Sequence, residues 1–149
     1  MNDEYFMTEA LKEAQKAFDI DEVPIGAVIE HKGEIIGRGY NRRNTEKNPL
    51  MHAEIIAINE AAKVIGDWRI EDCTMYVTVE PCPMCSGAIV QARIPKVVFC
   101  THNAKAGCGG SIINLLQMEK LNHRCEVVSG IMEDECRDMM KMFFKRFRK

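Results

Sequence analysis

Two short segments, His52-Ala53-Glu54 and Pro81-Cys82-Pro83-Met84-Cys85, constrain this chain more than any other feature. One imidazole and two thiolates are three protein donors for a zinc ion, and sharing one ion forces two distant parts of the chain together. Three donors rather than four leave a coordination position for water, which marks a catalytic site and not a structural one. Glu54 supplies the proton carrier that such a water needs. Cys82 and Cys85 are three apart, and Pro83 suits the first turn of a helix, where its missing N–H costs nothing. Both sulfurs then point the same way, and the positive end of the helix dipole favours their thiolate forms. His52 and Glu54 pose a harder demand. Two apart on a regular helix, they would face nearly opposite directions. His52 must therefore sit at or just before a helix start, where the backbone is not yet helical, and the loop ending in Pro49-Leu50-Met51 permits this.

The rest of the chain alternates helical and strand patterns. Phe6, Ala10, Leu11, Ala14, Ala17 and Phe18 recur at helical spacing. Pro24 to Ile29 and Glu34 to Tyr40 read as strands joined by a hairpin at Lys32-Gly33. Asn41 to Pro49 is polar and reads as a loop, and a second helix runs from near Ala53 toward Gly66. Met75 to Val79 is a buried-type strand ending at the Glu80-Pro81-Cys82 corner, where a third helix begins. Lys96 to Cys100 is a further strand, followed by the glycine-rich stretch Ala106 to Gly110. Ser111 is expected to cap a short helix carrying Ile112, Ile113, Leu115 and Leu116. Glu126 to Ser129 is a last strand, and a final helix spans roughly Met132 to Arg146. The expectation is one α/β domain over residues 1–149: three layers, α/β/α, around a mixed central sheet of about five strands.

A chain of 149 residues is long enough for a real core. No apolar run approaches the roughly 18 residues of a membrane span, and the acidic N-terminus lacks the features of a secretory signal. Seven cysteines in irregular positions do not form a disulfide framework, so reduced thiols in the cytoplasm are the simpler reading. Net charge is only −2, but its distribution is uneven. Residues 1–22 carry seven acidic and two basic groups, whereas residues 138–149 carry one acid and five bases. Such blocks are commonly solvated faces. In the tail, however, Phe143, Phe144 and Phe147 interleave with Lys145, Arg146, Arg148 and Lys149, offering stacking surface as well as charge.

Blander readings compete at each feature. A Cys-x-x-Cys alone suits a redox pair equally well, but the paired His-x-Glu weighs against that. A structural zinc needs a fourth ligand, and Cys73, Cys100, Cys108, His102 and His123 are available; none has the close spacing of a structural site. The cysteines outside the motif, including Cys125 and Cys136, read as core fillers. Gly107, Gly109 and Gly110 could cradle a phosphate, yet no P-loop pattern surrounds them and a tight turn is the better expectation.

The H-x-E…P-C-x-x-C pattern resembles the signature of zinc-dependent nucleobase deaminases, a cytidine-deaminase-like superfamily. Further stretches are similar to the bacterial tRNA-specific adenosine deaminases. They are Pro24 to Val28, Gly39-Tyr40-Asn41-Arg42, Tyr76 to Cys82, Ala92-Arg93-Ile94, Gly110 to Leu116, Asn122-His123-Arg124 and the Phe143-Phe144-Lys145-Arg146 ending. The resemblance implies hydrolysis of the wobble adenosine of a tRNA anticodon loop to inosine, one zinc per subunit, and a homodimer with its sites near the interface. It implies that His52, Cys82 and Cys85 hold zinc and that Glu54 shuttles protons. Asn41 would bond the nucleoside, the Ala53 backbone would lie against the base, and Lys105, Asn122, His123, Phe144 and Arg148 would line the RNA path. Many relatives carry aspartate where Asn103 stands, so a negative charge is missing from a region expected to meet the nucleic-acid backbone. A free nucleobase or nucleoside deaminase is the rival enzyme, against which the basic tail argues. A non-catalytic zinc module that binds RNA is the rival from another class, and Glu54 argues against it.

Overall fold

The computed structural model describes residues 2–146. Helix α1 (Asp3–Asp19) begins where the Asn2 side chain accepts a hydrogen bond from the Tyr5 N–H at 3.0 Å, a preferred cap for the free N–H groups of a first turn. Strands β1 (Gly26–His31) and β2 (Glu34–Tyr40) form the expected hairpin, with positive φ at both turn residues, Lys32 (51°) and Gly33 (86°). These are followed by α2 (Ala53–Ile65), β3 (Cys73–Val79), α3 (Pro83–Gln91), β4 (Lys96–Thr101), β5 (Glu126–Ser129) and α4 (Glu133–Arg146).

The five strands make one sheet in the order β2-β1-β3-β4-β5. β1 runs antiparallel to both β2 and β3, while β3, β4 and β5 are parallel, so the sheet is mixed. Alternation along each strand sorts side chains to two faces. Ala27, Ile29, Met75, Val77, Val97 and Phe99 join Ala53, Ala57 and Ala61 of α2 and Ile89 of α3 in one core. Val28, Tyr76, Val98 and Cys100 join Phe6, Met7, Ala10 and Leu11 of α1 and Cys136 of α4 in the other. The result is the three-layer α/β/α arrangement.

Helix α2 lies against β2 with almost nothing between them. A Cβ placed on Gly39 would fall 2.3 Å from the Ala53 carbonyl oxygen, and one on Gly37 would fall 2.3 Å from that of Ala57. Only glycine permits this approach, and it fixes the start of α2 against the sheet.

The expected helix over Ile112 to Leu116 is absent. Residues 102–125 form turns and bends, with one isolated bridge between Gly109 and Asn114. Ile112 and Ile113 are 55% and 46% exposed, and of the apolar residues over 112–116 only Leu116 is buried, too little apolar face to hold a helix down. Ser111, expected as a cap, instead hydrogen-bonds the Glu80 carboxylate. Likewise, the glycine-rich stretch is no tight turn between strand and helix but part of this long segment.

Candidate active site

The site forms where the N-termini of α2 and α3 meet the carboxyl end of β3. His52 is the N-cap of α2, with extended backbone at φ −84° and ψ 153°. Cys82 is the N-cap of α3, also extended, at φ −75° and ψ 176°. Neither side chain caps its own helix, so both are free to face each other. This resolves the spacing demand of His52 and Glu54: the first stands outside the helix, and the second lies buried in its first turn.

His52 Nδ1 lies 3.6 Å from Cys82 Sγ and 3.5 Å from Cys85 Sγ. Zinc bonds of about 2.3 Å to sulfur and 2.0–2.1 Å to nitrogen, at the tetrahedral angle, separate N from S by roughly 3.6 Å. The three donor atoms all lie within 4.8 Å of one another and are the one such group among the described residues. Donor type and spacing therefore both fit a metal ion held by these three residues, without a fourth ligand from the other cysteines or histidines. Those remaining cysteines, Cys73, Cys100, Cys108, Cys125 and Cys136, are all buried and unpaired by disulfides.

Proton affinities around the trio are strongly shifted. The hydrogen bond from Cys85, together with His52, pulls the Cys82 thiol down to about 4 against its burial. Cys85 is pushed up, by its bond to Cys82 and by burial. The bond to Cys82 likewise raises His52, against its own desolvation. Burial raises Glu54 to about 7, with the Cys82 charge adding to the effect. A carboxyl that titrates near neutrality can both take and give a proton.

In front of the trio opens a cavity of about 210 Å³, walled by apolar Val23, Ile25, Val79 and Ala106 and by polar Asn41, Arg43 and Asn103. Asn41 is held at both ends, donating to the Val23 carbonyl at 3.2 Å and accepting from the Arg43 N–H at 3.2 Å. Its amide keeps a second N–H and a second lone pair for a ligand. Ala53 also faces the cavity. A larger groove adjoins, sharing Val23, Ile25, Val79 and Asn103, and lined further by His102, Lys105, Arg137, Met140 and Phe144. Asn122 and His123 line neither; the His123 ring nitrogen Nε2 lies 2.7 Å from the Ile94 carbonyl. Arg148 lies outside the described residues.

The family model of MafB19-like deaminases matches residues 1–148. A tRNA-specific adenosine deaminase of Bacillus subtilis is 54% identical over 147 residues, spanning 99% of this chain and 91% of that protein. The chain belongs to the tRNA-specific adenosine deaminase family. Among solved structures, one from work on A-to-I editing by tRNA:A34 deaminases at the wobble position of transfer RNA superposes with a TM-score of 0.87. It is 37% identical and covers 91% of this chain and 98% of its own. A guanine deaminase from Bacillus subtilis is 40% identical over a smaller share, 68% of this chain and 66% of that one, with a TM-score of 0.65.

Sequence reasoning missed three residues at or beside this candidate site. Arg43 is a cation on the cavity wall with no carboxylate within ion-pair distance among the described residues. Glu22 and Glu80 are buried carboxylates that bond loop backbone: Glu22 accepts from the N–H groups of Asn44 and Thr45. An acidic residue amid apolar neighbours was the available signal for Glu80, flanked by Val79 and Pro81. Glu22 sits in an acidic run that reads as solvated surface.

Proposed function

We infer that this protein hydrolyses adenosine to inosine at the wobble position of a tRNA anticodon loop, with zinc held by His52, Cys82 and Cys85. The observation that carries the reading is the small cavity at the trio, opening directly into a groove with Lys105 and Phe144 on its wall. The cavity is smaller than the 300 Å³ or more of an ordinary ligand pocket, which suits one flipped base. The groove suits the strand that carries it, offering an aromatic face and positive charge as single-stranded RNA readers do.

When bound, zinc supplies a Lewis acid that makes water nucleophilic near neutral pH. The chain's own residues do the rest. Asn41 orients the nucleoside through its remaining amide hydrogen-bonding positions. Val23, Ile25 and Val79 exclude bulk water from the base. Glu54 takes a proton from the attacking water and passes it to purine N1 as the new C6–O bond forms. It then moves the second proton to the amine, which leaves as ammonia when the C6–N bond breaks. Water and adenosine are consumed, inosine and ammonia are formed, and no organic cofactor enters the balance.

We place Asn122 and His123 on a partner's RNA path in a homodimer. That neither lines this chain's own cavity or groove supports that reading, as does exposed apolar surface at Val64 (62%) and Trp68 (59%). Unpaired thiols and a tRNA substrate suit a reducing cytoplasm, and no helix among the described residues is long and apolar enough to cross a membrane. The decisive assay compares ammonia and inosine release from tRNA with release from free adenosine, cytidine and guanine. Turnover of guanine without turnover of tRNA would replace this reading with a free-base deaminase, which the partial likeness to guanine deaminase makes the second choice.

A further inference from the structure

The Glu80 side chain has 0% exposure, the residue borders the base cavity, and it takes no part in the chemistry described above. It stands at the end of β3, two positions before Cys82. The hydrogen bonds to its carboxylate come from one segment, residues 102–111. Oε1 accepts from the Asn103 N–H at 2.9 Å and from the Ser111 hydroxyl, and His102 Nδ1 lies 3.2 Å away. Oε2 accepts from the N–H groups of Gly109 at 2.9 Å and Ser111 at 3.0 Å. The glycine-rich stretch does cradle an anion, and that anion is the chain's own carboxylate.

The fit leaves no slack. A Cβ on Gly107 would lie 2.4 Å from Glu80 Cδ and 2.5 Å from the Asn103 carbonyl oxygen. The segment has no helix or strand of its own, so its backbone N–H groups depend on partners of this kind. Its near end is also the shared wall of the site. Asn103 lines both the cavity and the groove, Ala106 faces the cavity, and His102 and Lys105 face the groove.

We propose that Glu80 is a positioning residue that moors the 102–111 segment and thereby sets the opening between base cavity and strand groove. It acts through the loop and not through the metal. The role of that opening in binding RNA rests on the function proposed above; the mooring itself does not.

Two substitutions release the loop from opposite sides. Glu80→Gln turns an amide NH₂ toward N–H groups that need an acceptor, and Gly107→Ala pushes on the carboxylate from the loop. Three readouts apply: zinc content, hydrogen–deuterium exchange, and steady-state kinetics on an anticodon stem-loop RNA. Both variants should hold zinc as the parent does. Exchange at Asn103, Gly109 and Ser111 should rise about tenfold or more, with α2 and α3 unchanged. KM for the stem-loop should rise about tenfold while kcat stays within about threefold, the pattern expected when uniform binding is weakened. Because both changes free the same loop, the double variant should be no worse than the more severe single one. Should either variant fail to fold, Ser111→Ala removes only a hydroxyl group and should raise the same exchange rates and KM to a smaller degree.

Zinc loss from Glu80→Gln with unchanged loop exchange would overturn the proposal, as would strictly additive effects of the two substitutions. Exchange needs no substrate. A chain inactive on RNA whose loop is released by Glu80→Gln would therefore sink the proposed function and leave the mooring intact. A chain active on RNA whose loop exchange and KM ignore Glu80→Gln would do the reverse.

Discussion

Glu54 carries its carboxyl into a space that disfavours charge, and that burial raises it to about 7. We expect Glu54→Ala to retain zinc, measured by elemental analysis, while losing at least about 10²-fold in turnover, the lower range for a general acid–base group. Zinc lost together with activity would make Glu54 a ligand. The same burial has a stability consequence in metal-stripped protein. Folded Glu54 holds its proton above the ordinary value of 4.5, so folding gains full benefit below that pH and loses it as pH rises toward 7. Glu54→Gln escapes this loss. Its stability relative to the parent should improve between pH 5 and pH 8 by on the order of 3 kcal/mol. Urea unfolding at the two pH values measures the difference, and an identical offset at both would show that burial does not hold the proton. For the proposed ligands the expectation differs: Cys85→Ser should lower both zinc content and melting temperature, because metal-binding free energy also stabilises the fold.

At the scale of elements, α2 is positioned by what β2 lacks. Gly39→Ala would drive a methyl group into the Ala53 carbonyl, costing about 1–3 kcal/mol as overpacking does. It should also lower zinc affinity, although Gly39 itself faces no ligand; a metal titration alongside thermal melting tests both. Much of this level is legible in the chain. Helical spacing locates α1, the expected spans of α2 and α4 fall close to the observed ones, and the geometric conflict between His52 and Glu54 is enough to place the start of α2. The 112–116 segment departs from its helical pattern because the partner of Ser111 is Glu80, far away in sequence, and local patterns carry no trace of such a partner. Arg43 escapes notice for a related reason: a cation in a polar loop has the same local pattern whether it faces solvent or a cavity. Asn103 stands out in the sequence for its missing charge, yet its side chain also accepts from the N–H groups of Lys105 and Ala106. Aspartate can accept those same bonds. Asn103→Asp should therefore preserve the loop while weakening activity on single-stranded deoxyadenosine more than on tRNA, both measured at one ionic strength.

Across the whole molecule, the basic tail divides into parts with different work. Phe143 is buried and packs edge-on against Phe18 of α1, and Arg146 lies over that ring and pairs with Asp21, so these two anchor α4. Phe147, Arg148 and Lys149 lie outside the described residues. Phe144, Lys141 and Lys145 sit together on the outer side of α4. Replacing Lys105, Lys141 and Lys145 with glutamine should raise KM for tRNA and flatten its logarithmic dependence on salt by about one for each phosphate no longer neutralised. An unchanged slope would reduce these lysines to solvated surface. The glycine seating of α2 matters at this scale too. A spacer built of peptide groups has one thickness, whatever side chains crowd the layers around it. The separation of His52 from the sheet is then largely insulated from drift in core composition, since swaps among leucine, isoleucine and methionine alter side-chain volume and leave that seating alone. Such a chain can be retuned for heat or cold through its two cores while its candidate metal site stays in register.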